Sequence, residues 1–236
     1  MMAGIAEKSL VLASLLISCC LSAGAQTVQD ELLPEVDTYL KVASDLRVDF
    51  QAKETREDGS PIQAEFGPSL DYYLKPLLRL QNTTRFDLND AKSRPLVLSI
   101  GYRYLPRANG GPPTNRMEPV VTGNFSMKGN FLLSDRNRAD LDWSTNFTWR
   151  YRNRFQIERA LTLRSYHPVP YASVEFFYQS KYSKWSDTAL YAGCIFPIGQ
   201  HVEFNPYYEH QNSTGTSPNQ KLNQLGLMLN LYFSVK

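Results

Sequence analysis

The C-terminal residues alternate between two kinds of side chain up to the end of the chain. Apolar side chains occupy every second position from Leu225 to Val235, and the positions between them, from Gln224 to Ser234, are mostly polar or small. Successive side chains of a β-strand point to opposite faces, so the pattern predicts a strand with one apolar face. The segment is long enough to cross a bilayer as a tilted strand, which needs roughly nine to eleven residues. We therefore expect the last strand of a membrane barrel, with a soluble sandwich as the alternative.

The N-terminus has the features of a secretory signal. An apolar stretch from Leu10 to Leu21 precedes the small-residue triplet Ala23-Gly24-Ala25. The stretch is shorter than the roughly twenty residues of a spanning helix, and the triplet fits a signal-peptidase cleavage site. We expect residues 1–25 to be a cleaved signal peptide and residues 26–236 to be the mature barrel domain of an exported protein.

Cysteine usage leaves a second processing route open and gives no disulfide. Leu16-Ile17-Ser18-Cys19 matches the box that lipoprotein signal peptidase cuts, which would leave Cys19 lipidated. Cleavage before Gln26 instead leaves Cys194 as the one cysteine of the mature chain, so no intrachain disulfide can form. The net charge of +2 is built from scattered charges of both signs, whereas a nucleic-acid partner would need a clustered basic stripe.

The same alternation recurs along the mature chain, and no segment has the pattern of an amphipathic helix. The apolar phases run through Val36–Val42, Leu46–Ala52, Leu70–Leu74, Leu96–Tyr104, Val121–Met127, Leu141–Trp143, Phe147–Ile157, Ala172–Tyr178, Leu190–Phe196, Val202–Tyr208 and Leu225–Val235. These segments predict an all-β, antiparallel, up-and-down transmembrane β-barrel. Mean hydropathy is below zero, as expected when the two faces of each strand average out.

The number of strands follows from parity as well as from pattern. About eleven segments alternate, yet single-chain bacterial outer-membrane barrels have even numbers of strands. We therefore expect twelve strands, with ten as the alternative, and place the missing strand between Leu77 and Asp90. Short connections are expected at Ser44-Asp45 and Pro197–Gly199, and long ones at Glu54–Glu65 and Gln211–Lys221.

Charged side chains share the polar phase of the strand that follows Phe147. Arg150, Arg152 and Arg154 alternate with aromatic residues, and an arginine facing lipid at the bilayer midplane costs roughly 2–4 kcal/mol. The arginines should therefore face the lumen, where Asp140, Asp142, Glu158 and Glu175 can pair with them. The candidate lumen charge cluster is Arg103, Arg150, Arg152, Arg154, Glu158 and Glu175.

Two interpretations of this cluster stay open. The charges either form a salt-bridged filling that stabilises a narrow barrel or line a selective passage. In both cases a barrel of about twelve strands with many long inward side chains has little free bore. An open general porin is therefore not expected.

Several short motifs resemble a known bacterial family. They are Glu35-Val36-Asp37, Gly101-Tyr102-Arg103-Tyr104, Ser134-Asp135-Arg136-Asn137-Arg138, Arg150-Tyr151-Arg152-Asn153-Arg154, Glu158-Arg159, Pro170-Tyr171-Ala172-Ser173, Glu175-Phe176-Phe177-Tyr178 and Tyr207-Tyr208. In this order, together with the final strand, they are similar to the family called domain of unknown function 2490 (DUF2490), across the mature chain. The resemblance implies an outer-membrane β-barrel, gives no settled activity and transfers no catalytic residue. Ala139-Asp140-Leu141 departs from the family pattern, which puts the role of Asp140 in doubt.

Residues for catalysis or metal binding are sparse. The chain has three histidines, and a catalytic serine needs a histidine within hydrogen-bond reach. His210 and Ser213 are the best available pair. We expect no catalytic residue, no metal and no cofactor.

The sequence thus predicts a non-enzymatic outer-membrane barrel of a Gram-negative bacterium, either a narrow channel or a structural or surface-interaction protein. The expected partners are outer-membrane lipid and, through the C-terminal strand, the barrel-assembly machinery, with no nucleic acid. Two alternatives remain: an outer-membrane enzyme that modifies lipid, and a soluble periplasmic barrel that binds an apolar ligand.

Overall fold

The computed structural model describes residues 27–74, 87–108, 110–215 and 219–235. The predicted signal peptide, residues 1–25, lies outside the described residues, as does most of the segment in which a further strand was expected. Among the described residues, no helix has the length and apolar character needed to cross a membrane.

Eleven strands close into one barrel within the described part of the chain. They are β1 (Thr27–Lys41), β2 (Leu46–Glu57), β3 (Ser60–Tyr73), β4 (Leu96–Leu105), β5 (Thr114–Met127), β6 (Phe131–Trp143), β7 (Phe147–Arg159), β8 (Val169–Gln179), β9 (Lys184–Ile198), β10 (Val202–Ser213) and β11 (Gln220–Ser234). Each strand pairs with its neighbours in sequence, so the predicted all-β up-and-down barrel is confirmed. The strand number lies between the predicted twelve and the alternative ten.

The first and last strands close the barrel in parallel. β1 pairs with β11 from Thr27 opposite Gln220 to Lys41 opposite Ser234. All other neighbouring strands are antiparallel, and with an odd number of them the first and last necessarily run the same way. Tyr39 and Tyr232 stack across this seam with ring centroids 4.9 Å apart.

The two ends of the barrel are named here by the strand ends they contain. The N-terminal rim contains the start of β1 and the tight turns at 58–59, 144–146 and 180–183, and the C-terminal rim contains the end of β11 and the turns at 42–45, 128–130 and 199–201. Asp58 and Gly59 both have positive φ, as a two-residue type I′ hairpin turn requires. The long polar connection expected at Glu54–Glu65 is therefore a continuous hairpin of β2 and β3.

Apolar side chains cover the outside of the barrel and charged ones fill its inside. Every strand has a large apolar or aromatic side chain exposed on its outer face: Val36, Phe50, Leu70, Ile100, Val121, Trp143, Phe155, Phe176, Leu190, Tyr208 and Leu225. Among the described residues, more polar or charged residues than hydrophobic ones are buried. The faces predicted for the strands are the faces observed, with the apolar phase outward.

One connection folds back into the barrel. After β3, the described residues Asp87–Arg94, here called the inserted segment, include a short 3₁₀-helix at Asp90–Ser93. Lys41 Nζ of β1 donates to Asp90 Oδ2 at 2.7 Å, and Asn124 Nδ2 of β5 donates to the Arg94 carbonyl at 2.8 Å.

The inserted segment also reaches the remaining sides of the wall. Lys92 Nζ donates to Glu158 Oε2 of β7 at 2.9 Å, and Glu203 of β10 accepts a hydrogen bond from the Leu88 amide. With β1 and β5, these contacts lie on well-separated parts of the barrel circumference, so the segment crosses the lumen near the C-terminal rim.

Candidate functional site

All six residues of the predicted lumen cluster point into the barrel. Arg150, Arg152, Arg154 and Glu158 share the inner face of β7, Glu175 lies on β8, and Arg103 lies on β4. The structure separates them into three groups with different partners.

The three arginines of β7 are held by two buried carboxylates. Arg150 donates to Asp140 Oδ2 through Nε and Nη2, at 2.9 and 2.6 Å. Arg152 and Arg154 both donate to Glu175, at distances from 2.6 to 3.1 Å. Asp140 and Glu175 have no exposed side-chain surface, so their charges are fully enclosed by guanidinium groups. Charge-assisted pairs of this kind fix the arginine side chains in place.

Arg103 lies apart from this group, on β4, which is three strands away from β7 in the barrel wall. It donates to Ser69 Oγ at 2.7 Å and to Gln51 Oε1 at 2.8 Å, and its nearest carboxylate is Glu118 at 3.7 Å. Glu118 in turn pairs with Arg138 of β6. Arg103 is thus connected to the arginines of β7 through Glu118, Arg138 and Asp140.

Glu158 pairs with the inserted segment and forms no salt bridge with an arginine of the described residues. Lys92 Nζ lies 2.9 Å from Glu158 and 2.5 Å from Asp87. Burial alone would lower the pKa of Lys92, but the two carboxylates raise it above its usual value. The ammonium group therefore stays charged and ties the inserted segment to β7.

The predicted cluster leaves out several inward arginines, and one of them is Arg47 of β2, which pairs with Asp71 at 2.6 Å. Arg116 of β5 pairs with Asp142 at 2.6 Å, and Arg136 and Arg138 share the inner face of β6 with Asp140. The signal was present, because residues 136, 138, 140 and 142 share one phase of β6. The apolar phase of β6 is weak before Leu141, because Asp135 and Asn137 occupy outward positions, so alternation alone does not mark this strand as clearly as β7.

Opposite charges face each other across one cavity of about 470 Å³. Its arginines are Arg116, Arg136, Arg138, Arg150, Arg152 and Arg154, on the adjacent strands β5, β6 and β7. Its glutamates on the far wall are Glu35, Glu203 and Glu209, on β1 and β10, and Lys53 of β2 lies 4.0 Å from Glu35. β1 lies five strands from β6, so the two walls are opposite across the lumen.

The cavity extends from the inserted segment toward the N-terminal rim. Asn89 and Lys92 of the inserted segment line it, and so do Thr55, Gln63 and Gln211 near the N-terminal ends of the barrel wall. Neither Glu203 nor Glu209 forms a salt bridge with another described residue. A polar solute in this cavity would meet a cationic wall on one side and an anionic wall on the other.

The candidate catalytic pair is not assembled. His210 Nδ1 lies 2.8 Å from Asn223 Oδ1 on the outer side of the barrel, and Ser213, three residues further along the same strand, belongs to the opposite face. Within residues 27–74, 87–108, 110–215 and 219–235, no group of three or more histidine, cysteine, aspartate or glutamate residues could hold a metal ion.

The chain belongs to the family described as "Protein of unknown function (DUF2490)", whose sequence model matches residues 35–222. The match covers most of the barrel, and it confirms the family that the motifs resemble. A search of curated proteins gave no match.

Proposed function

We propose that this member of the DUF2490 family is a non-enzymatic outer-membrane β-barrel whose charged lumen is a narrow solute passage closed by the inserted segment. The observation that carries the proposal is the inversion of a soluble fold. Every strand exposes large apolar side chains, whereas the arginines of β7 and their carboxylate partners are enclosed within the barrel. In water, this arrangement would leave an apolar band around the whole molecule. Contiguous apolar surface of that extent marks a membrane or a partner.

The free-energy cost of exposing the three arginines of β7 to lipid supports the same orientation. Each of Arg150, Arg152 and Arg154 would cost roughly 2–4 kcal/mol if it faced lipid at the midplane. Turned inward, each meets a carboxylate within 3 Å. Lipid on the outside and ion pairs on the inside are therefore the favourable combination.

Aromatic side chains support an interface at the N-terminal rim. All three tryptophans of the chain lie on the outer face beside the turns of that rim: Trp143, Trp149 and Trp185. Trp149 stacks on Tyr178, with ring centroids 5.4 Å apart. Tryptophan and tyrosine are enriched where a barrel wall meets the headgroups.

One polar patch interrupts the apolar outer face. Asp135, Asn137 and Asn153 lie at the middle of β6 and β7, and Asn153 Nδ2 donates to Asp135 Oδ1 at 2.8 Å and to Asn137 Oδ1 at 3.0 Å. Tyr151 also donates to Asn137. The patch satisfies much of its own hydrogen bonding, which lowers the cost of placing it against lipid.

Detergent dependence tests the membrane assignment. We expect the mature chain from Gln26 onward to stay folded in detergent and to aggregate when detergent is removed. A chain that is monomeric and folded without detergent would end the outer-membrane proposal.

Conductance in planar bilayers tests the passage and its closure. The native chain is compared with Lys92→Ala, which loses the bond to Glu158 of β7 and the bond to Asp87 within the inserted segment. A second variant, Lys181→Ala, removes the same charge from an exposed turn. We expect conductance to rise in Lys92→Ala alone. Equal conductance in all three chains would leave a structural or surface-interaction barrel.

A further inference from the structure

Arg136, on the inner face of β6, has no hydrogen-bond acceptor among the described residues. It makes no hydrogen bond to them, and its Nε is buried without a partner. Its nearest carboxylate oxygen is Glu175 Oε1, at 3.6 Å. By contrast, Arg150 and Arg154 each form two hydrogen bonds to a carboxylate.

Glu175 does not supply the missing acceptor. Its Oε2 accepts one bond from Arg152, two from Arg154 and one from Tyr191 Oη at 2.8 Å. Its Oε1 accepts one bond, from Arg152 Nε, and lies 3.6 Å from Arg136 Nη2, which is beyond hydrogen-bond distance. The carboxylate is thus aligned with the arginines of β7 and leaves the donors of Arg136 without a partner.

The position of Arg136 is also unfavourable for the barrel alone. It lies directly opposite Arg154 in the pairing of β6 with β7, and Arg138 lies opposite Arg152. Like charges directly opposite one another destabilise a sheet. An unsatisfied buried donor in a native structure calls for an explanation, and a bound group that is not part of the chain is one.

The exposed part of Arg136 faces the lumen cavity. About a third of its side chain, 32%, is exposed, and the residue lines both the 470 Å³ cavity and a second cavity of about 310 Å³ beside it. Gln156 and Lys92 line the same two cavities. Unused guanidinium donors thus point into a space large enough for a small solute.

We infer that Arg136 anchors a binding site for the oxyanion group, phosphate or carboxylate, of a small polar solute in the lumen. Guanidinium groups bind both kinds of oxyanion through paired, charge-assisted hydrogen bonds. The glutamates on the opposite wall disfavour a solute that carries negative charge throughout. The inference deepens the proposed function, because it names the solute class, and it rests on that function for access to the lumen.

Calorimetric titration of the purified mature chain tests the site, with inorganic phosphate and acetate as separate probes. Arg136→Gln removes the anchor, and Arg159→Gln is the matched control, since it removes the same charge from an exposed position of β7 that does not line the cavity. We expect Arg136→Gln to weaken binding at least about tenfold, as loss of a charged hydrogen bond implies. Arg159→Gln should change binding less than threefold. The tighter-binding probe identifies the group.

Stability separates a binding role from a structural one. Because Arg136 faces Arg154 without an acceptor of its own, Arg136→Gln should leave the unfolding midpoint unchanged or raise it. No binding of either probe, equal weakening in both variants, or a lowered midpoint for Arg136→Gln would each overturn the inference. If the chain proves soluble without detergent, the outer-membrane proposal fails while this titration still decides the site.

Discussion

Two single substitutions to arginine on the outer face, one near the middle of the barrel wall and one near its rim, test whether that face contacts lipid. Ile100 lies in the middle of β4, is 49% exposed, and has the outward residues Leu70 and Pro119 as its register partners. Val28 is 58% exposed at the start of β1, beside the N-terminal rim. The comparison is between Ile100→Arg and Val28→Arg.

The expected magnitudes follow from depth. β4 has ten residues, which at about 3.3 Å per residue and a tilt near 40° span about 25 Å along the barrel axis. That is the height of the apolar band of an outer-membrane barrel. Ile100 therefore lies near the midplane, where arginine costs roughly 2–4 kcal/mol, whereas near an interface it costs about 0–1 kcal/mol.

Urea unfolding in lipid vesicles, followed by tryptophan fluorescence, gives both values. With a slope of about 3 kcal/mol per molar urea, Ile100→Arg should lower the midpoint by about 1 M, and Val28→Arg should shift it by less than about 0.3 M. Exposed substitutions in a soluble protein usually change stability by less than about 0.5 kcal/mol. Small and equal shifts for both variants would therefore refute a lipid-facing wall.

Three further substitutions test the interior. Glu175→Gln removes the carboxylate shared by Arg152 and Arg154 and should lower the free energy of unfolding by about 3–5 kcal/mol in the same assay. A decrease of less than about 1 kcal/mol would count against a stabilising role of these ion pairs. Burial alone would raise the pKa of Asp90, but hydrogen bonds from Lys41 and Tyr73 lower it below the ordinary 3.8. The charge of Asp90 therefore stabilises the fold above about pH 4, and that contribution is lost as pH falls through the lowered pKa. In Asp90→Asn, the urea midpoint of unfolding should depend less on pH between pH 6 and pH 2 than it does in the native chain. The same pH dependence in both chains would contradict this. Gly226→Ala would place Cβ 2.0 Å from the Tyr207 ring and should destabilise by about 1–3 kcal/mol in urea unfolding, whereas a neutral result would mean that the ring moves freely.

Period-two alternation predicted the faces of the strands because it is a local property. Arg150 and Glu175 could be placed inside the barrel from their own neighbours in sequence. The hairpin at Asp58-Gly59 was less accessible, since the strand residues beside it are polar on both phases and look like a loop. Those residues lie near the N-terminal rim, where an apolar outer face is not required.

Long-range features could not be predicted from the same pattern. The parallel pairing of β1 with β11 depends on the total number of strands, and an assumption of even parity pointed away from it. The entry of Asp87–Arg94 into the lumen depends on partners such as Glu158 and Glu203, which are far away in sequence. The missing acceptor of Arg136 depends on how the side chains of β6, β7 and β8 pack against one another, which alternation does not determine.

Heat-modifiable migration of the mature chain in cell-envelope fractions tests the membrane barrel most directly. We expect the chain in the outer-membrane fraction, with unboiled protein migrating differently from boiled protein, because a closed barrel held by its lumen network resists detergent unfolding. Recovery in the soluble fraction, with identical migration before and after boiling, would contradict the account.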